Sequence, residues 1–387
     1  MLPHPDLSFT LPSLHDETRL DCRVHHPRRP GEKTRGWSGN VAVVAHPYAP
    51  LGGCFDDHVV DVVAGTLLGN GFLVATFNFR GAGTSAGRTS WTSKPEQDDY
   101  ISVAGFLAYY AHYLHAPPGD LDSASSDSTA ERRTPTLLFA GYSYGAMIVT
   151  RLPPTGLVFS RFETPVIHTA AADIRLRAQH LAEQQSELRA LSPKSPRSSL
   201  GMRVGGQDGH DRHEREVHGE EKIKREVKDL LQRSKIVLRK KGPSKEKGVE
   251  ETEHCLERLE GLEFRAAYLL VSPPVGIVSN LATMSFGKPG QGVMGGMFGD
   301  FGRDGVEERD EKFVSSDTLC VYGSHDGFIS HRKMRNWSKR LAGGEATRWR
   351  AVEVAGAGHF WVEAGAMGHL RDSVGTFASE VGGHGEM

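Results

Sequence analysis

The sequence GYSYG occupies residues 141–145, between an apolar run, TLLFA, at 136–140 and the segment AMIVTRL at 146–152. The run before this pentapeptide predicts a buried strand, and the segment after it predicts a helix. A serine at the tip of such a strand-to-helix turn holds a strained backbone conformation that lifts its hydroxyl above the sheet. The residues two before and two after it crowd each other, which favours glycine at both. The pentapeptide therefore predicts a nucleophilic Ser143.

A serine hydroxyl is a weak nucleophile, so the site needs a base and a group that orients the base. In sites of this kind the chain order is Ser, then Asp or Glu, then His. Asp326 follows the predicted strand Thr318–Tyr322, and His359 follows the predicted strand Trp349–Val354. Open α/β sheets place their sites just past the carboxyl ends of such strands. We therefore predict that His359 is the base for Ser143 and that Asp326 orients it.

Other assignments stay open for the acid. Asp326 stands in His-Asp-Gly, which is also good turn chemistry. Asp317 and Asp300 are weaker alternatives, since Asp317 precedes its strand and Asp300 lies in a glycine-rich stretch. The alternative for His359 is a loop histidine, but glycines before it and aromatic residues after it suit an exposed base in a tight turn.

The oxyanion of an acyl-transfer reaction needs two N–H donors. One is expected from Tyr144, which follows the nucleophile, and one from the loop after the predicted strand Val41–Ala45. Pro47 in that loop has no N–H, so we predict that Tyr48 is the second donor. We expect His46 to be structural and bonded to nearby backbone.

The rest of the chain alternates short apolar runs with amphipathic helical patterns, which indicates an α/β fold with a mostly parallel sheet and helices on both faces. Two strands with no helix between them precede this pattern and predict an antiparallel edge. The predicted strands are Leu7–Leu11, Arg19–Val24, Val41–Ala45, Phe72–Phe77, Thr136–Ala140, Ala267–Val271, Thr318–Tyr322 and Trp349–Val354. The predicted helices are Phe55–Leu68, Glu96–Leu114 and His331–Leu341.

The middle of the chain breaks this alternation with a charge-rich stretch that cannot bury enough apolar area to offset its ordering entropy. We predict a single domain over residues 1–387, interrupted at 175–262 by a charged insert that is partly disordered or helical, with one helix possible over Gly219–Arg239. Strands on both sides of the insert supply one site, so they belong to one sheet. Residues 286–312 are rich in glycine and predict a flexible loop, either a linker or a pocket lid.

Composition excludes several classes of protein. The net charge is −2, so no overall field favours nucleic acid or an anionic membrane. No run approaches the 18 apolar residues of a membrane span. The four cysteines match neither a zinc site nor a redox pair, and they suit a reduced, cytoplasmic protein. His213 and His218 are five residues apart rather than four, so they do not form a helical zinc motif.

Four stretches, HPYAPLGGCFDDHVV, TFNFRGAGTSAGR, AGYSYGAMI and GAGHF, resemble those of small microbial serine hydrolases of the α/β-hydrolase superfamily. Their motifs run H-P-x-P, then N-F-R-G-x-G, then G-x-S-x-G, then a His-aromatic pair, and the resemblance covers roughly residues 5–165 and 262–380. The first stretch departs from the H-P-x-P motif, because Tyr48 and Ala49 follow Pro47 and the second proline comes only at Pro50. The resemblance implies that residues 78–81 form a structural loop. For Arg80 in this loop we expect packing or an ion pair, and binding of a substrate carboxylate is the alternative.

Together these features predict a hydrolase that cleaves a carboxylic ester through an acyl-enzyme, with no cofactor and no metal. An acyl thioesterase or acyltransferase using the same residues is an alternative. So is an interaction protein with a vestigial site, in which the 175–262 insert docks a protein partner. The expected substrate is a small acyl compound, and nucleic-acid binding and a membrane span are not expected.

Overall fold

The computed structural model describes residues 2–27, 37–115, 134–191, 223, 225–227, 229–231, 236–240, 252–274, 310–344 and 346–383. The chain divides into two compact units. The first comprises Met1–Ala104, Ala130–Val158 and Glu263–Met387, and the second comprises Gly105–Thr129 and Phe159–Leu262. All the predicted site residues belong to the first unit.

The described part of the chain contains strands and helices numbered here in chain order. The strands are β1 (Leu7–Pro12), β2 (Arg19–His25), β3 (Val41–Ala45), β4 (Leu73–Phe77), β5 (Thr136–Tyr142), β6 (Ile236–Lys240), β7 (Thr252–Leu256), β8 (Arg265–Val271), β9 (Asp317–Gly323) and β10 (Trp349–Val354). The helices are α1 (His58–Gly69), α2 (Lys94–His115), α3 (Tyr144–Arg151), α4 (Thr155–Glu163), α5 (Ala170–Leu191), α6 (Glu311–Ser315), α7 (His331–Ala342) and α8 (Ala366–Gly382).

An eight-stranded sheet organises the first unit, in the order β1-β2-β4-β3-β5-β8-β9-β10. Strand β2 pairs antiparallel with β1 and with β4, and every other pair in the sheet is parallel. The predicted strands and the predicted antiparallel edge are confirmed, with ends shifted by one or two residues. Because β5, β8, β9 and β10 run parallel, their carboxyl ends meet at one edge of the sheet.

Side chains of the central strands alternate between two covered faces, as a period of two requires. Leu138 and Ala140 of β5 belong to a buried apolar cluster that also contains residues of α1 and α8. Phe139 lies on the opposite face, where it stacks between Tyr100 of α2 and Tyr268 of β8 at centroid distances of 6.1 and 5.4 Å. The predicted mostly parallel sheet with helices on both faces is confirmed.

Helix α1 begins three residues later than the sequence pattern predicts. The Asp57 carboxylate accepts hydrogen bonds from the N–H groups of Val59 and Val60, at 2.8 and 3.4 Å, and so caps the helix. An aspartate in this position satisfies N–H groups that have no partner within the helix. The apolar residue Phe55 therefore precedes the helix rather than beginning it.

The second unit contains the described part of the charged insert. Residues 225–227 and 229–231 are helical, but Ile236–Lys240 is a strand that pairs antiparallel with Thr252–Leu256. The predicted helix over Gly219–Arg239 is therefore wrong at its carboxyl end, where adjacent β-branched residues favour an extended backbone. A small core of this unit contains Ala172, Leu176, Val227 and Leu256. Most of the predicted 286–312 loop lies outside the described residues.

Candidate active site

The turn between β5 and α3 has the strained geometry that the pentapeptide predicts. Ser143 holds φ 53° and ψ −115°, a backbone conformation that side-chain-bearing residues rarely adopt. A Cβ added to Gly141 would lie 2.4 Å from the carbonyl carbon of Gly145. One added to Gly145 would lie 2.5 Å from the carbonyl oxygen of Ala45. Only glycine fits at either position, so the two glycines let the turn close.

A chain of hydrogen bonds joins the three residues predicted as nucleophile, base and acid. Ser143 Oγ lies 2.8 Å from His359 Nε2, and His359 Nδ1 lies 2.8 Å from Asp326 Oδ2. Asp326 is fully buried, and the other two side chains are nearly so. With Nδ1 donating to the carboxylate, Nε2 is free to accept the serine proton. The three residues follow β5, β9 and β10, and the structure brings them together at one edge of the sheet.

The loop that carries Asp326 is fixed on two sides. The N–H of Phe328 donates to Asp326 Oδ1 at 2.9 Å, so each carboxylate oxygen has its own partner. The N–H of His325 donates to the carbonyl of Ala357 at 2.9 Å and ties this loop to the one that carries His359. A Cβ on Gly323 would lie 2.1 Å from the same carbonyl oxygen. Gly323 is therefore required for the two loops to approach, a role that the sequence analysis missed.

Three side chains hold the loop around His359, and sequence reasoning found none of them. The Tyr142 hydroxyl donates to the His359 carbonyl at 2.8 Å, and His58 Nε2 lies 2.8 Å from the Phe360 carbonyl. The Trp361 indole donates to Ser272 Oγ at 3.2 Å. Burial raises the pKa of Tyr142 far above its usual value, which keeps the hydroxyl a donor.

The two residues predicted to donate N–H groups to the oxyanion have side chains in contact. Their rings, those of Tyr48 and Tyr144, are in contact at a centroid distance of 5.1 Å. Tyr144 is the first residue of α3, so its N–H has no acceptor within the helix. The carbonyl of Tyr48 accepts the N–H groups of Leu51 and Gly53, which fixes the turn without using the Tyr48 N–H. Tyr144 begins the helix that follows Ser143, and the dipole of that helix favours negative charge at this end.

His46 is structural, as predicted. Its Nε2 accepts the N–H of Phe79 at 2.9 Å, so Nδ1 carries the proton and donates to the Pro47 carbonyl at 2.6 Å. Complete burial lowers the pKa of His46 to about 4, although the bond to Pro47 opposes this shift. The neutral ring therefore links the loop after β3 to the loop after β4.

Arg80 forms ion pairs with Asp99 and Asp16, which is one of the roles expected for it. Its Nε and Nη2 donate to the buried carboxylate of Asp99 at 2.9 and 2.7 Å, and its Nη1 donates to Asp16 at 3.0 Å. Burial opposes ionisation of Asp16, but hydrogen bonds from Arg80 and Thr18 outweigh it and lower the pKa of Asp16 to about 2. The network fastens the loop after β4 to α2 and to the β1–β2 turn.

The carboxyl end of α3 is held by the side chain of Lys312. Lys312 is buried, and its Nζ donates to the carbonyls of Val149 (3.0 Å) and Leu152 at the end of this helix. Burial lowers the pKa of Lys312 to about 7, against the opposing charge of Asp310. A cation at a helix carboxyl end is favourable, since the last carbonyls have no partners within the helix.

A pocket of about 160 Å³ opens over the predicted nucleophile. Its wall is largely aromatic or apolar, which suits an apolar substrate group. The lining residues include Ser143 and His359 together with Tyr48, Leu51, Trp91, Tyr144, Met147, Arg151, Phe328 and Phe360.

The part of the chain that the structure describes contains neither a cluster of metal ligands nor a membrane-spanning helix. No group of three or more His, Cys, Asp or Glu residues there could hold a metal ion. No helix among the same residues is long and apolar enough to span a membrane. Residues 210–218, with the histidines of the rejected zinc motif, and Asp300 lie outside the described residues. The other alternative acid, Asp317, is paired with Arg265 at 2.8 Å at the opposite end of β9.

The strand order, the turn at Ser143 and the positions of Asp326 and His359 after β9 and β10 are those of an α/β-hydrolase fold. Solved structures similar to the chain include an alpha-beta serine hydrolase homologue from Coxiella burnetii, with 13% identity, a TM-score of 0.45, and coverage of 97% of this chain and 99% of that one. An a/b serine hydrolase without lid from Xanthomonas campestris has 15% identity, a TM-score of 0.45, and coverage of 98% and 96%. An esterase from Pyrococcus furiosus has 11% identity, a TM-score of 0.45, and coverage of 97% and 90%.

No protein-family model matches the chain, and no curated protein matches it. At the identities and TM-scores above, the similarity to solved structures carries no activity over to this chain. The case for a function therefore depends on the geometry of its own residues.

Proposed function

We propose that the protein is a serine hydrolase that cleaves carboxylic esters, with Ser143, His359 and Asp326 as its catalytic triad. The observation that carries this proposal is the chain of two 2.8 Å hydrogen bonds that links the three side chains at a strained strand-to-helix turn. A base within hydrogen-bond reach, itself oriented by a buried carboxylate, is the arrangement that activates a serine.

The geometry supports the following course of reaction. His359 Nε2 takes the Ser143 proton as Oγ attacks the acyl carbon, and Asp326 stabilises the imidazolium that forms. The N–H groups of Tyr48 and Tyr144 stabilise the oxyanion. The proton then passes from His359 to the leaving alcohol, which departs and leaves the acyl group on Ser143. Water, deprotonated by the same histidine, releases the acid and restores the serine.

The choice of an ester substrate rests on analogy with the fold alone, and ester and thioester cleavage are separable by experiment. A panel of p-nitrophenyl esters and acyl thioesters of matched acyl groups, assayed with one enzyme preparation, would decide between them.

We further propose a small acyl compound as substrate, a single domain interrupted at 175–262, and a cytoplasmic location. Capture of a protein partner by the full chain, but not by a variant lacking 175–262, would instead support a docking role for the insert.

The proposal is tested by labelling with a fluorophosphonate probe, which reacts with an activated serine. We expect the wild-type protein to be labelled, and Ser143→Ala to lose both labelling and ester hydrolysis while keeping its melting temperature. The matched control is Ser373→Ala, which should be labelled like the wild type. Ser373 lies on α8, where its hydroxyl donates to the His369 carbonyl. Continued labelling of Ser143→Ala, or no labelling of the wild type, would refute the assignment.

A further inference from the structure

Two phenylalanine rings flank the imidazole of His359, and both line the pocket. The Phe328 ring lies over the imidazole, with a centroid distance of 4.5 Å and an angle of 31° between the rings. The Phe360 ring meets the imidazole edge-on, at 5.5 Å and 86°, and meets Phe328 at 5.6 Å and 83°. These three rings form one cluster, the His359 ring cluster.

The backbone on both sides of this cluster is fixed. Phe328 donates its N–H to Asp326, and the Phe360 carbonyl is bound by His58 Nε2 at 2.8 Å. Phe360 is nevertheless 55% exposed, so part of this apolar residue faces the pocket or solvent although its backbone is held. An exposed aromatic ring beside a catalytic group is a ready contact for a substrate.

The chemistry of the proposed reaction says which part of the substrate meets this cluster. His359 gives its proton to the leaving oxygen, so that oxygen must come within about 3 Å of Nε2. The first carbons of the leaving alcohol then lie against the rings that contact the imidazole. Neither Phe328 nor Phe360 carries a polar group, so the cluster suits an apolar alcohol. Flat rings gain additional contact from edge-to-face and offset packing on other rings.

On the basis of the proposed ester hydrolysis, we propose that Phe328 and Phe360 form a leaving-group subsite that selects esters of aromatic alcohols over esters of saturated alcohols of similar size. In the step concerned, the bond between the acyl carbon and the alcohol oxygen breaks. The acyl group stays on Ser143, and the proton held by His359 goes to the alcohol oxygen. The ring of the alcohol packs on the His359 ring cluster while this happens.

The test compares kcat/KM for benzyl butyrate and cyclohexylmethyl butyrate, which share the acyl group and differ in the flatness of the alcohol ring. Each value is divided by the rate constant for hydroxide hydrolysis of the same ester, which removes the difference in leaving-group acidity, and the ratio of the two quotients is the readout. The value of an aromatic pair beyond burial predicts that the wild type prefers the benzyl ester about two- to tenfold. Phe360→Leu and Phe328→Leu should bring this ratio close to one. Leu157→Ala, which changes an exposed apolar residue that does not line the pocket, is the control and should keep the wild-type ratio.

A ratio measured on one preparation does not depend on the fraction of folded enzyme, so a loss of stability in Phe328→Leu leaves the readout valid. A wild-type ratio of one or below, or a benzyl preference that survives in both leucine variants, would overturn the subsite. If both esters are cleaved and Ser143 is labelled but the ratio is one, only the subsite fails. If neither ester is cleaved and Ser143 is not labelled, the proposed function fails and the subsite fails with it.

Discussion

The hydroxyl of Tyr142 offers a direct test of how the His359 loop is held. Replacing Tyr142 by Phe keeps the ring, which lies 5.6 Å from the imidazole, and removes the donor to the His359 carbonyl. The bond is buried and 2.8 Å long, so its loss leaves a buried carbonyl without this partner. Such a loss costs about 1–3 kcal/mol of unfolding free energy. That corresponds to roughly 2–6 °C in melting temperature for a unit of about 250 residues.

Tyr142→Phe should also lower kcat, because the histidine that Tyr142 helps to position takes part in the proposed reaction. A misplacement of a catalytic group by about 1 Å can cost on the order of a hundredfold in rate. We expect kcat for p-nitrophenyl butyrate to fall about tenfold or more in Tyr142→Phe, with a smaller change in KM. Tyr322→Phe is the control, since that hydroxyl bonds Glu353 at 3.3 Å in a partly exposed position. Equal melting temperatures and equal kcat values for the two variants would refute the reasoning.

Two further predictions concern residues that hold the loops around the site. Gly323→Ala should lower both melting temperature and kcat, because the added Cβ would lie 2.1 Å from the Ala357 carbonyl oxygen; a variant with wild-type kcat and melting temperature would show that the two loops can separate freely. Arg80→Met should cost about 3–5 kcal/mol in denaturant unfolding at pH 7, since it leaves the buried Asp99 carboxylate without its cation. The lowered pKa of Asp16 means that its contribution is complete above its ordinary value of 3.8 and is lost as the pH falls through about 2. Acid unfolding of the wild type should therefore steepen in that window and flatten in Arg80→Met, and identical acid profiles would contradict the ion pair.

The turn that carries Ser143 could be predicted from the sequence because the residues that define it are neighbours in the chain. Two glycines and a serine within five residues, between a strand and a helix, define the turn without any knowledge of the rest of the chain. Asp326 and His359 could be proposed because each follows a predicted strand in a fixed order. The parallel sheet then brings the ends of those strands to one edge.

The supporting residues were not predictable in this way. The hydroxyl of Tyr142 meets a carbonyl 217 residues away, and His58 meets one 302 residues away. Neither pair leaves a local pattern in the sequence. The strand Ile236–Lys240 was missed for a different reason, since its apolar residues also continue a helical spacing from Ile223 and only pairing with β7 decides between the two.

The strand order of the sheet explains why several side chains are needed to hold the loop that carries His359. Strand β10, which precedes His359, is separated from β5 by β8 and β9. Three strand spacings amount to about 14 Å, more than a histidine side chain can cross. The loop after β10 must therefore turn back over the sheet edge to bring Nε2 to Ser143. Its contacts match that path: Tyr142 ends β5, and Ser272 directly follows β8. The third support, His58, begins α1. Because this loop leaves the end of its own strand to reach Ser143, side chains from the elements that it crosses help to fix its position.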